Sequence, residues 1–195
     1  RDVPSSRWSR RAISAPSGTA AAYGILFDVG ASVPSLSNSA TLTASVTALD
    51  ASSYAVVDLS GTLLSVTNSG TIGATSTTTD TTTGSTSAIA LDLSHAQGGV
   101  TLTNSGKIAG DVRLGDHDDV LSLVADGDSD TATTSTWTGS IDFGAGDDTF
   151  AIAGAGVFTG STTKGSGTLA ISVNDGVMAL GSTDTIAATT IDFAS

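Results

Sequence analysis

An internal repeat constrains the fold more than any other feature of this sequence. Three ten-residue segments align on an asparagine: SLSNSATLTA from Ser35, SVTNSGTIGA from Ser65 and TLTNSGKIAG from Thr101. The aligned asparagines are Asn38, Asn68 and Asn104, at offsets of 30 and 36 residues. A unit repeated at this period predicts stacked coils, because each copy buries its apolar residues only against the next copy.

A second repeated element precedes each asparagine segment. Its copies are YGILFDV from Tyr23, YAVVDL from Tyr54 and AIALDL from Ala88. Two elements at a nearly constant separation predict a repeat of about two strands and two turns. The aspartates of these copies align, so we expect three side chains to be in register in neighbouring coils: Asp28, Asp58 and Asp92.

The second half of the chain repeats in another way. The segment GDVRLGDHDDVLSL from Gly110 returns as GSIDFGAGDDTFAI from Gly139, and WTGS from Trp137 returns as FTGS from Phe158. The aligned apolar pairs are Val112 with Ile141, Leu114 with Phe143, Leu121 with Phe150, and Leu123 with Ile152. Residues two apart share one face of a strand, so these pairs predict inward ladders in an all-β solenoid with parallel strands.

Composition and charge limit the classes of partner. All 19 acidic residues are aspartates, only seven lysines and arginines oppose them, and four of those seven lie in the first eleven positions. A net charge of −12 disfavours nucleic acid and anionic bilayers and favours cations. The absence of cysteine excludes disulfides and thiolate metal sites. No run of about 18 apolar residues is present, so we expect no membrane insertion.

Domain boundaries follow from where the repeats stop. Residues 1–17 are predicted to be a tail or an incomplete first coil, and residues 18–195 a β-helical segment. The polar stretch TSTTTDTTTGSTS, residues 75–87, is predicted to be a loop outside the stack. The chain has no initiating methionine and its last residues still alternate, so we expect a piece of a longer protein in which more structure follows.

The repeats resemble the passenger domains of bacterial autotransporters. The motifs that carry the resemblance cover most of residues 20–195: VTNSGTIGA, VTLTNSGKIAGDVRLGDHDD, GSIDFGAGDDTFAIAGAGVFTG and GSGTLAISVNDGVMAL. The resemblance implies a right-handed parallel β-helix at the surface of a Gram-negative cell, or secreted from it, and export through an outer-membrane β-barrel of the same parent chain. It further implies a scaffold or adhesin that contacts a host or a neighbouring cell, although such coils carry many activities.

The paired aspartates raise the question of a calcium site. The stretch GAGDDTF is similar to one nonapeptide of the calcium-binding RTX roll, which makes four residues calcium candidates: Asp118, Asp119, Asp147 and Asp148. The two copies lie 29 residues apart rather than nine, and Phe143 and His117 stand where that motif has glycine. The alternatives are therefore solvated turns without a cofactor, or a weak calcium site of an RTX-like binding protein.

Motifs for catalysis are weak. The stretches GDSD from Gly127 and DLSH from Asp92 are similar to esterase motifs, but they occur in reversed order and Asp130 follows Ser129. We therefore predict no catalytic residue and no enzyme.

Two further hypotheses concern the surface of the chain. Most aromatic side chains are predicted to lie in the core, Phe27, Phe143 and Phe150 among them, and the alternative is a carbohydrate-binding stripe on the outside. Uncapped coil ends also leave self-assembly into a fibre or surface layer as an alternative function.

Overall fold

A computed structural model describes the backbone of residues 12–125 and 134–194, and the side chains from residue 18 onward within those ranges. There the chain forms strands and no helix, and every pairing between named strands is parallel. The described residues therefore include no helix that could cross a bilayer. The prediction of an all-β solenoid with parallel strands is confirmed.

The strands follow one another at short intervals. They are β1 (Ala12–Phe27), β2 (Ser35–Asn38), β3 (Thr41–Asp58), β4 (Ser65–Asn68), β5 (Thr71–Thr78), β6 (Thr86–Asp92), β7 (Thr101–Asn104), β8 (Lys107–Ala109), β9 (Asp111–Arg113), β10 (Val120–Leu123), β11 (Thr136–Thr138), β12 (Ile141–Asp142), β13 (Gly146–Ala153), β14 (Val157–Thr159), β15 (Thr162–Thr163), β16 (Gly167–Asn174), β17 (Val177–Ala179) and β18 (Thr190–Ala194). Strand β1 thus begins inside the predicted tail.

Each complete coil contributes one strand to each of three faces. One sheet has the order β18-β16-β13-β10-β7-β4-β2, and the other has the order β15-β12-β9-β6-β3-β5-β8-β11-β14-β17, with β1 paired to β3. The second sheet supplies two faces, because the two halves of β3 pair with β5 and with β6. The molecule is a parallel β-helix with three strands per coil. The expected two-strand repeat was wrong, because the corner Ser105–Gly106 divides one asparagine segment into β7 and β8.

Apolar ladders fill the interior as predicted. Three predicted pairs are neighbours in the sheets: Val112 with Ile141, Leu121 with Phe150, and Leu123 with Ile152. Leu114 and Phe143 are also buried. Trp137 pairs with Phe158, and their rings meet edge to face at 6.3 Å. Each such buried side chain contributes about 1.5–3 kcal/mol by leaving water, so these ladders dominate the stability of the stack.

The aligned asparagines form a hydrogen-bonded ladder at one corner. The Nδ2 of Asn38 donates to the Oδ1 of Asn68 at 2.8 Å, and the Nδ2 of Asn68 donates to the Oδ1 of Asn104 at 2.7 Å. Asn68 and Asn104 are fully buried. Since a buried amide must satisfy its donors and acceptors, the ladder fixes the register between coils.

The predicted register of the three aligned aspartates was wrong. The observed register pairs Tyr23 with Tyr54, which places Phe27 opposite Asp58 and, in the next coil, Val57 opposite Asp92. The alignment on aspartate had introduced a gap of one residue, and a slip of one residue turns a side chain to the other face of a strand. Asp58 is accordingly buried, whereas Asp28 is exposed.

The predicted loop at residues 75–87 is strand at both of its ends. Strand β5 continues to Thr78 and β6 begins at Thr86, which leaves residues 79–85 as the connection. In the next coil Gly110 alone joins β8 to β9. We call residues 44–53 and 74–88, which have no counterpart in that coil, the arm. A small apolar cluster lies in the arm, where Ala44, Val46, Ala48 and Ala51 pack with Ala22 of β1.

Candidate functional site

The two aspartate pairs lie at one corner of the helix in successive coils. Asp118 and Asp119 directly precede β10, and Asp147 and Asp148 lie at the start of β13. Val120 pairs with Thr149, so the two copies of the motif stack one coil apart. The stacking that the repeat predicted is therefore confirmed.

The four carboxylates form two columns, an inner one of Asp119 and Asp148 and an outer one of Asp118 and Asp147. The inner column accepts backbone N–H groups of the preceding coil, and the outer column accepts those of the following coil. In the inner column, the Oδ1 of Asp119 accepts the N–H of Val100 at 2.7 Å, and the Oδ1 of Asp148 accepts the N–H of Asp119 at 2.9 Å. In the outer column, the Oδ1 of Asp118 accepts the N–H of Asp147 at 2.9 Å. The Oδ1 of Asp147 then accepts the N–H of Thr168 at 3.0 Å. These carboxylates therefore link four successive coils where the ladder hydrogen bonds begin.

Burial separates the two columns. Asp118 and Asp147 are exposed, which agrees with the expectation of solvated turns. Asp119 is 1% exposed and Asp148 is 2% exposed, so that expectation was wrong for the inner column. The Oδ2 atoms of Asp119 and Asp148 are buried and have no hydrogen-bond partner in the described structure. The sequence carried a signal for this burial, because Asp119 alternates with Leu121 and Leu123 on one strand face.

Burial changes the acidity of the inner column. It raises the pKa of Asp119 to about 7, and the neighbouring charges of Asp148 and Asp118 act in the same direction, against the hydrogen bond from Val100. Burial also raises the pKa of Asp148, against the hydrogen bond from the N–H of Asp119. The inner column therefore holds two carboxyl groups whose environment favours the protonated form.

The described residues provide no cluster of ligands for calcium at this corner. The described ranges contain no group of three or more histidine, aspartate or glutamate side chains that could hold a metal ion. Calcium takes six to eight oxygen ligands, whereas one oxygen of each of the four aspartates already accepts a backbone N–H. Calcium binding at Asp118, Asp119, Asp147 and Asp148 stays a prediction.

The stretches with esterase-like spacing divide between described and undescribed residues. Ser129 and the rest of GDSD lie outside the described residues. In DLSH, the Oγ of Ser94 donates to the Oδ1 of Asp92 at 2.7 Å and lies 3.3 Å from the Nδ1 of His95. Asp92 thus holds the serine hydroxyl, whereas in a catalytic triad the carboxylate orients the imidazole.

Most of the aromatic side chains lie in the core rather than on an outer stripe. Trp137, Phe143, Phe150 and Phe158 are fully buried, and Phe27 is partly buried against the core. Tyr23 and Tyr54 differ, because their rings stack outside at 5.1 Å with an interplanar angle of 9°. They line a shallow groove of about 190 Å³ with Leu26, Val57, Leu59 and Asp92. The alignment on aspartate missed this stacking, because it is one residue out of the register that pairs Tyr23 with Tyr54.

Comparison with known proteins gives no relative: no protein-family model, no curated protein and no solved structure matches this chain. The fold and the capped corner define the class, which is a parallel β-helical repeat protein. The resemblance to autotransporter passengers rests on the sequence motifs alone.

Proposed function

We propose that this chain is a non-enzymatic scaffold segment of an autotransporter-type passenger, displayed at the cell surface or secreted, and that it acts as an adhesive interaction module. The observation that carries the proposal is the unbroken pairing of strands from β2 to β18 along one face. Inward apolar and asparagine ladders hold successive coils together from the inside. Outward side chains and connections are then available for contacts.

The arm supports an interaction role because its tip is ordered by its own side chains. Asp80 accepts the N–H of Thr82 at 2.8 Å and the hydroxyl of Thr83 at 2.7 Å. Asp50 accepts the N–H of Ser85 at 3.1 Å and its hydroxyl at 3.0 Å. A tip held in one conformation loses less entropy on binding than a mobile loop would. Its exposed hydroxyls and carboxylates suit a polar or cationic ligand on another cell.

Antibody labelling of cells that express the parent gene tests the display of this segment. A serum raised against the folded chain should label intact cells or the culture medium, and a serum against a cytoplasmic protein of the same cells serves as the control. Labelling that requires permeabilised cells would overturn the proposal. Residues 79–85 are the preferred epitope, because a peptide at the tip of the arm is accessible without unfolding.

Self-assembly is the second candidate function, and the last strand favours it. The side chains of Ile191 and Phe193 are 42% and 69% exposed, although they continue the inward ladders of Ile171 and Val173. The exposed apolar face of β18 is therefore like the apolar faces that pack against one another inside the stack. Association of two copies through such faces would extend the helix.

A further inference from the structure

The inner aspartate column is the part of the molecule that a scaffold role does not explain. Asp119 and Asp148 lie one coil apart, which is about 4.8 Å along a parallel sheet. Both are at least nine-tenths buried, and neither Oδ2 has a hydrogen-bond donor within reach. Two stacked carboxylates, each with one unpartnered oxygen in the interior, are costly to keep as two anions.

Charges around the column add to this cost. Asp119 faces the carboxylates of Asp148 and Asp118, and Asp148 faces those of Asp118 and Asp147. Lys164 is the cation that acts on Asp148 in the opposite direction. One ammonium group does not balance four carboxylates, and a buried group with an uncompensated charge takes up a proton instead.

We propose that the inner column, Asp119 with Asp148, is a proton-binding site that makes the stack more stable in mildly acidic solution than at neutral pH. The ligand is a proton rather than a metal ion, because each Oδ1 stays in its backbone cap while the unpartnered Oδ2 loses its charge. This inference is independent of the proposed display and adhesion, since it concerns the fold of the corner.

The direction of the pH dependence follows from the two states of Asp119. Its pKa is about 7 in the folded chain and about 3.9 in an unfolded one, so the folded state binds more protons between these values. The contribution of this group to stability is complete below the unfolded pKa and is lost as the pH rises through the folded pKa. Within this window the unfolding constant should rise by up to about tenfold for each pH unit, and above it the dependence should end.

The Asp119→Asn substitution tests the proposal. An asparagine keeps an oxygen for the N–H of Val100 and mimics the neutral acid. Urea unfolding of the wild type and the variant should give midpoints that converge near pH 4 to 5 and separate as the pH rises, with the variant more stable near pH 8. Asp192→Asn, at an exposed aspartate of β18 outside both columns, is the matched control and should keep the wild-type dependence. Equal pH slopes for wild type and Asp119→Asn would overturn the proposal.

Two further measurements keep the proposal falsifiable if the variant does not fold. Carbon NMR of the Asp119 carboxyl in the wild-type chain should give a midpoint near 7, and a midpoint near 4 would overturn the assignment. The urea series is also run in EDTA and in millimolar calcium chloride. Stabilisation of the wild type by calcium, lost in Asp119→Asn, would replace the proton with a metal ion, whereas equal curves support the proton.

Discussion

Asn68 illustrates how one polar side chain holds three coils in register. Its Nδ2 donates to Asn104 Oδ1, to Gly70 O and to Lys107 O, while its Oδ1 accepts from Asn38. Asn68→Ala would leave the buried Oδ1 of Asn104 without its donor and would remove the hydrogen bond from Asn38. We expect a loss on the order of 3 kcal/mol in the free energy of unfolding, measured with urea.

The matched control for Asn68 lies in another strand of the same sheet. Asn174, in β16, is exposed, and Asn174→Ala should change the free energy of unfolding by no more than about 0.5 kcal/mol. Comparable losses in both variants would mean that the buried ladder is not what fixes the register.

The residue scale also shows where sequence reasoning succeeds and where it fails. The asparagine ladder was predictable because identical residues recur next to identical strands. The burial of Asp119 was not predicted, because its charge and turn preference were given more weight than its alternation with Leu121 and Leu123. A carboxylate can lie inside a β-helix where a backbone N–H has no partner in the sheet. Residue type alone does not show where such an N–H lies.

At the scale of elements, the corner between β11 and β12 depends on a glycine. Gly139 has φ +133°, and a Cβ added there would lie 2.3 Å from the carbonyl oxygen of Gly110 in the previous coil. Gly139→Ala combines backbone strain with an overlap against backbone, so we expect a loss on the order of 3 kcal/mol or more. Thermal unfolding followed by circular dichroism measures it.

Gly115 provides the comparison for Gly139. A Cβ on Gly115 would meet its nearest atom, the oxygen of Ala96, at 3.5 Å, which is ordinary contact, and its φ lies outside the left-handed region. Gly115→Ala should therefore melt close to the wild type. If both alanine variants melted at the same temperature, close packing between coils at Gly139 could not explain a loss of stability in Gly139→Ala.

Two kinds of element were missed by sequence reasoning, each for its own physical reason. The threonine-rich stretch was assigned to a loop by its low complexity, yet threonine is β-branched and favours strands once a partner strand is present. The partner is β3, whose Thr41–Ala48 pairs with β5 and whose Ala51–Val57 pairs with β6. The third strand of each coil was missed because it is short: β12 has two residues and β9 has three. Periodicity cannot be recognised over so few positions.

At the scale of the whole molecule, association of copies depends on two opposing terms. The apolar face of β18, with Ile191 and Phe193 exposed, favours the burial of that face against another coil. A net charge of −12 makes copies repel one another. Salt screens charges over a Debye length of about 10 Å at 0.1 M but does not weaken apolar burial. Association through this face should therefore increase with ionic strength.

Sedimentation velocity over a range of concentrations tests this association. The wild-type coefficient should rise with concentration, and more so in high salt. The double substitution Ile191→Lys and Phe193→Lys should abolish the rise, because lysines on an edge strand oppose pairing with a second copy. Val120→Lys is the control, since Val120 is 45% exposed in β10 in the middle of the stack and should leave association unchanged. A wild-type chain that sediments as a monomer at every concentration and salt would rule out self-assembly through β18, and the scaffold proposal would then stand alone.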